Sequence, residues 1–248
     1  MPEQDYTFPT PGPARLEIKL MSCDIDVTSV DGSDSRITLE GSEKALEGLR
    51  VEQVGDRLVV EERKKVLFGI RFDRDKLTVR ALVPHESRVS FVTASGEMQL
   101  SGTFGGVDVK SASGDVTLNG ELHGDATVGN VSGDVRVGRV LGDLNVKTVS
   151  GDVVAQAVEG SISVQSVSSD LYVGEIRSGK VQIQTVSGDS TLGIASGSNV
   201  DVDASSASGE LSSEIALSSS ADGDHDGGPT VVVRANTVSG DVKLRRAA

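Results

Sequence analysis

One heptapeptide, VSGDVRV at 131–137, returns along the chain with small changes. It reads SASGDVTL at 111–118, TVSGDVVA at 148–155, SVSSDLYV at 166–173, TVSGDSTL at 185–192 and TVSGDVKL at 237–244. Gly124, Gly133, Gly142, Gly151 and Gly160 fall nine residues apart. Ser169 and Ser178 continue the series, and after a slip of one residue Gly179, Gly188 and Gly197 resume it. A short period of this kind restricts a chain to stacked architectures, because nine residues cannot bury an apolar face alone and a pile of them can.

Within a unit the residues after glycine alternate. Val135 and Val137 flank Arg136, Leu144 and Val146 flank Asn145, and Ile162 and Val164 flank Ser163. Alternation over a few β-branched residues, bounded by Gly-Asp, predicts a short strand and a turn. Every second unit begins Ser-Gly-Asp, while those between begin HGD, LGD, EGS or SGK. The doubled period predicts a lap of about 18 residues with two strands and two corners, laps pairing in parallel ~4.8 Å apart. The expected fold is therefore all-β, a single-stranded parallel β-solenoid. Positions 135/137, 144/146, 153/155, 162/164, 171/173 and 181/183 are expected to point inward. Val131, Val149, Val167 and Val186 are read as a further interior column.

Two faces should point outward. One carries Thr117, Arg136, Val154, Tyr172, Thr191, Ser212 and Lys243, the other Asp108, Thr127, Asn145, Ser163, Gln182, Asp201 and Val232.

The ends lack the nine-residue beat. Residues 1–13 read as a flexible tail, and 14–93 as an irregular β-rich portion capping a solenoid that runs over 94–248. SCDIDV at 22–27 resembles SGDVRV, with Cys23 in the glycine position, so a degenerate lap is expected there. The charged run 61–76 reads as a solvated hairpin or loop. A 31-residue interval between Ser208 and Ser239 marks a loop insertion near 214–230. Lys243, Arg245 and Arg246 put charge beside the last lap in sequence, a deterrent to edge-to-edge addition.

A net charge of −13 supplies no basic stripe for phosphates, so nucleic acid is not an expected partner. Residues 94–248 hold 20 acidic and 10 basic side chains. Much of that excess sits at corners, at Asp115, Asp134, Asp152, Asp170, Asp189, Glu210 and Asp241; backbone hydrogen bonds or a cation could offset their repulsion. One cysteine rules out an internal disulfide framework. MPEQDYTFPTPGPARLEIKL lacks the features of a secretory leader, and no apolar run approaches the ~20 residues that span a bilayer. A cytoplasmic location and no membrane insertion are expected.

Reactive chemistry finds little purchase. Calcium-binding β-rolls repeat G-G-x-G-x-D-x-U-x, whereas Gly and Asp are adjacent here. Asp222, Asp224 and Asp226, before Gly227, match the first half of an EF-hand loop and are the metal candidates, although position twelve is Val233 rather than Glu. A carbohydrate-active β-helix enzyme would need an outward acid–base pair and, usually, rings; the repeats offer Phe104 and Tyr172. His85, His123 and His225 are scattered with no visible Ser or Cys partner, so a triad is unsupported, and Cys23 reads as a packed residue. No catalytic residue and no cofactor are assigned.

The motifs SASGDVTL, VSGDVRV, TVSGDVVA and TVSGDVKL, with intervening GDLNV units, resemble a bacterial β-strand-repeat family of unknown function provisionally labelled adhesins and expected to form parallel β-helices. The resemblance spans about residues 20–248 and implies a surface role for some members. Polymer-forming bactofilin-type solenoids are similar at the level of fold only. The expected function is a non-catalytic scaffold or protein-interaction module that binds a protein partner or itself. A cell-surface adhesin is the alternative, and a carbohydrate-active enzyme or a calcium-binding β-roll stands further off.

Overall fold

A computed structural model describes residues 2–63, 77–215 and 228–247. Among the described residues the chain is all-β, built on two large sheets of 12 and 11 strands, with one five-residue helix, Glu43–Glu47, capped by the Ser42 side chain. From Gly106 to Ile194 the chain passes alternately from one sheet to the other. Each strand pairs in parallel with the strand one lap before it. Val135 pairs with Val153 and Val153 with Leu171, an offset of 18 residues; Val116 to Val135 and Leu171 to Ser190 are offsets of 19.

Alternation decides which side chains go inside. Val135, Val137, Leu144, Val146, Val153, Ala155, Ile162, Val164, Leu171, Val173, Val181 and Ile183 are all buried in one continuous core. Each fully buried aliphatic contributes roughly 1.5–3 kcal/mol, so these files hold the laps together. Phe91 and Phe104 are among the largest buried side chains; Phe104 fills the core and is not an outward ring.

The corners close because glycine permits a backbone that other residues resist. Gly133 and Gly151 have φ of 113° and 109°, and a Cβ on Gly151 would lie 2.2 Å from the carbonyl oxygen of Gly133. The two glycines are stacked, one directly over the other, with no room for a side chain between laps.

The column of Val131, Val149, Val167 and Val186 is not interior. These residues are 50%, 45%, 47% and 48% exposed. Alternation simply continues through the strand end: Leu144, Val146 and Thr148 point in, so Asn145, Lys147 and Val149 point out. The inward corner positions are polar, and at most laps they serve corner carbonyls. Thr148 Oγ1 donates to Ser150 O at 3.1 Å, Thr185 Oγ1 to Ser187 O at 3.0 Å, and Asn130 Nδ2 to Gly114 O at 3.1 Å.

Both ends differ from a simple succession of laps. Residues 3–9 are not a loose tail: Glu3–Pro9 is a strand, antiparallel to Asp34–Glu40 at one sheet edge, with Tyr6 and Phe8 packed on the core. The lap formed by Arg15–Lys19 and Asp24–Val30 lies between Arg57–Glu62/Thr78–Pro84 and Arg88–Ser95/Met98–Phe104. At the other end the last lap in sequence, Thr230–Ser239 and Val242–Arg246, sits inside. It pairs with Gly179–Ser187 and Ser190–Ile194 on one side and with Asn199–Ser208 and Leu211–Ser213 on the other. Lys243, Arg245 and Arg246 therefore lie one lap inside the end. Gln182 pairs with Arg234 and Arg234 with Asp203, so these two, rather than Asp201 and Val232, continue the second outward file. Of the charged run 61–76, residues 61 and 62 end a strand and 64–76 lie outside the described residues, as does most of the expected insertion at 214–230.

Candidate interaction face

At each Val-Ser-Gly-Asp corner, four residue types become four parallel files along the stack. The serines are paired lap to lap, Ser113 with Ser132, Ser150 with Ser168 and Ser168 with Ser187. The glycines stack as described. The aspartates form a chain of side chain–backbone bonds. Asp115 Oδ1 accepts from Asp134 N at 2.9 Å, Asp134 from Asp152 at 3.0 Å, and Asp152 from Asp170 at 3.2 Å. Asp170 accepts from Asp189 N at 2.9 Å, Asp189 from Asp241 at 2.8 Å, and Asp241 from Glu210 at 2.8 Å. Each carboxylate thus satisfies the first N–H of the neighbouring lap, which is why the residue after glycine is an acceptor. One oxygen of each group is committed to the backbone; the charge stays at the surface.

The fourth file is apolar. Val131, Val149, Val167, Val186 and Val238 occupy equivalent corners on five successive laps, and Val238 is 55% exposed. Beside Val186 and Val238 runs an open groove of about 420 Å³, floored by Thr185 and Thr237 and walled by Gln184 and Asn236. Scattered exposed apolar residues are ordinary on a protein surface; here five of them line up in one row beside a row of carboxylates. Sequence reasoning missed this row by assigning valine inward on residue type; the in–out phase of Leu144, Val146 and Thr148 carried the correct signal.

Elsewhere charges pair along the outer faces. Arg136 binds Asp134 at 2.7 Å, and Arg139 binds Glu159, which lifts the guanidinium pKa further by hydrogen bonding and by charge. Arg245 lies 5.1 Å over the ring of Tyr172 and binds its hydroxyl.

Two histidine clusters lie beyond what sequence spacing could show. Ser29 Oγ is 2.9 Å from His85 Nδ1, and His85 Nε2 is 3.4 Å from Asp31 Oδ1. The geometry differs from that of a working triad. Ser29 is buried, its Oγ accepts the Thr103 N–H at 2.7 Å, and Asp31 is fully exposed where it cannot fix the imidazole. His123 is held between Glu86 and Glu121, at 2.6 and 2.8 Å from its two ring nitrogens. The ring separates the carboxylates rather than converging with them. Among the described residues no group of three or more His, Cys, Asp or Glu could hold a metal. Asp222, Asp224 and Asp226, and His225 between them, lie outside the described residues. Cys23 is buried, and burial pushes its thiol pKa up to about 12, partly countered by a hydrogen bond with Thr93 and assisted by Asp24 and Glu62. No helix among the described residues is long and apolar enough to cross a membrane.

Residues 14–245 match the family model described as Toastrack DUF4097, and the chain belongs to that family. No curated protein matches the chain. A crystal structure from Bacteroides fragilis, provisionally named an adhesin, is similar with a TM-score of 0.58. It is 15% identical in sequence, over 98% of this chain and 97% of that one. A second structure, from Parabacteroides distasonis and also provisionally named an adhesin, is 12% identical over 98% and 97% with a TM-score of 0.44. The first likeness supports the fold.

Proposed function

We propose that this Toastrack-family chain is a β-solenoid scaffold, two strands and two corners per lap, that works by binding a protein along its outer files rather than by catalysis. The observation that carries the reading is the row of five exposed valines on successive laps beside a row of carboxylates. Regular spacing multiplies weak contacts: one lap offers little, whereas a partner that engages five gains from each. The reactive side chains described above are turned to structural work, Ser29 to a backbone N–H and the aspartates to the next lap.

Capture from a lysate of the source cells, followed by cross-linking and mapping of the joined residues, tests the reading. Cross-links falling on the outer files of 106–246 support it. A chain that sediments as a monomer at every concentration and joins no protein contradicts it.

A surface adhesin is the second reading, favoured by the likeness to the Bacteroides fragilis structure and the name that structure carries. Fractionation of intact cells separates the two, because an adhesin is reached by protease added outside and an internal scaffold, held in the cytoplasm, is not.

A further inference from the structure

The valine row and the aspartate row are separated by two small residues, Ser and Gly, so an occupant of one lies within reach of the other. We infer that this corner is a docking groove for a cationic amphipathic α-helix. Its apolar stripe would lie along Val131, Val149, Val167, Val186 and Val238, and its Lys or Arg flank would face the aspartates. The inference rests on the interaction-scaffold reading and names its partner class.

Three features select this occupant. The first is charge: Asp152, Asp170, Asp189 and Asp241 are exposed, each with Oδ1 committed to the backbone, leaving the second oxygen for a cation. The chain carries a net −13, which opposes a second copy and favours a basic partner.

The second is backbone satisfaction. An extended segment binds a sheet by adding to an open edge, but the inner laps are already paired above and below. A strand laid across them would gain no ladder bonds and leave its own N–H and C=O groups unmet. A helix satisfies its backbone internally.

The third is pitch. Rungs ~4.8 Å apart meet helical turns of ~5.4 Å, so over five laps, roughly 19 Å, a helix of about 13 residues drifts by only about half a rung. Apolar residues at i, i+3, i+4 and i+7 then meet successive valines.

The test uses the full chain and a fluorescent 14-residue peptide of leucine and lysine with its leucines on one helical face. Anisotropy is measured from 0.05 to 0.5 M salt. Binding is expected to weaken at least 10-fold in the Val149→Ser/Val167→Ser/Val186→Ser variant and with a peptide of the same composition scrambled to abolish the stripe. Asp152→Asn/Asp170→Asn/Asp189→Asn keeps an acceptor for each backbone N–H; it is expected to lose at least 5-fold and to flatten the salt dependence. Should the serine variant melt early, Val→Thr at the same positions preserves shape and replaces it.

Equal affinity for the scrambled peptide, or unchanged affinity in the valine variants, overturns the inference, since attraction would then be charge alone. A wild-type dimer that the valine variants dissolve overturns it in favour of a second copy. In either case partner capture through another file leaves the scaffold reading standing, and loss of all association removes both.

Discussion

At the scale of single residues the fold depends on positions where a side chain has nowhere to go. Gly151 combines a φ of 109° with a Cβ site 2.2 Å from the Gly133 carbonyl. Gly197 has a φ of 80° and open space around it. Alanine at Gly197 pays only the backbone term, about 1–2 kcal/mol. Alanine at Gly151 carries a term of similar size and must also push two laps apart. Thermal melts should therefore rank Gly151→Ala well below Gly197→Ala, and equal melting temperatures would argue against stacked glycines.

Cys23 supplies a pH test at the same scale. Its thiol pKa rises from an ordinary value of 9.0 to about 12 on folding. The folded state then holds a proton that the unfolded chain releases. The stability this group contributes is complete below about pH 9 and is lost as pH climbs toward 12. Alkylation at pH 8 under native conditions should be slow and tied to unfolding. Cys23→Ala should shrink the loss of stability between pH 9 and 11; an unchanged alkaline slope would contradict the assignment.

At the scale of strands, position within the alternation outranks residue type. Val146 is buried and Asn145, its neighbour, is exposed. Val146→Asp places a charge in a dry file at a cost of about 4 kcal/mol or more, while Asn145→Asp should change stability by under about 0.5 kcal/mol. Chemical denaturation of the two variants checks this, and similar midpoints would remove the inward assignment.

The strands themselves were legible in the sequence because Gly-Asp punctuation and β-branched alternation act locally. Val149 was not, because valine's burial preference and the phase set by Leu144 and Val146 disagree there, and phase prevails where the inward neighbour, Thr148, must cap a carbonyl. The candidate face was legible in half: the aspartate row is visible as a repeat, the valine row only once its direction is known. The clusters at Ser29–His85 and Glu86–His123 join residues 56 and 37 positions apart, beyond what spacing can indicate.

At the scale of the whole molecule the unexpected feature is the order of laps. Regular laps run in sequence order, yet at each end one lap slips inside its neighbour. Composition explains the carboxy-terminal case. The inward residues of the two rungs are alike, Val231, Val233 and Ala235 against Val200, Val202 and Ala204; the difference is on the outward side, where the inner strand carries Val232 and Arg234 and the outer strand Asn199–Ser208 carries Asp201 and Asp203. The apolar strand takes the covered position and the acidic one takes the edge, where charge discourages further strands. Ser208 and Ser239 pair on adjacent rungs although 31 residues separate them, against 18 or 19 in the regular laps.

Laps stack in register, with residues 230–246 one rung in from the end. Paired cysteines in a Cys23→Ser background test this register most directly, since a disulfide needs Cα atoms 4.4–6.8 Å apart and rungs lie ~4.8 Å apart. Oxidation should join Ser187→Cys to Ser239→Cys, and Ser208→Cys to Ser239→Cys, as adjacent rungs. Ser187→Cys and Ser208→Cys, two rungs apart, should stay reduced. A cross-link between 187 and 208, with none at 239, would contradict the account.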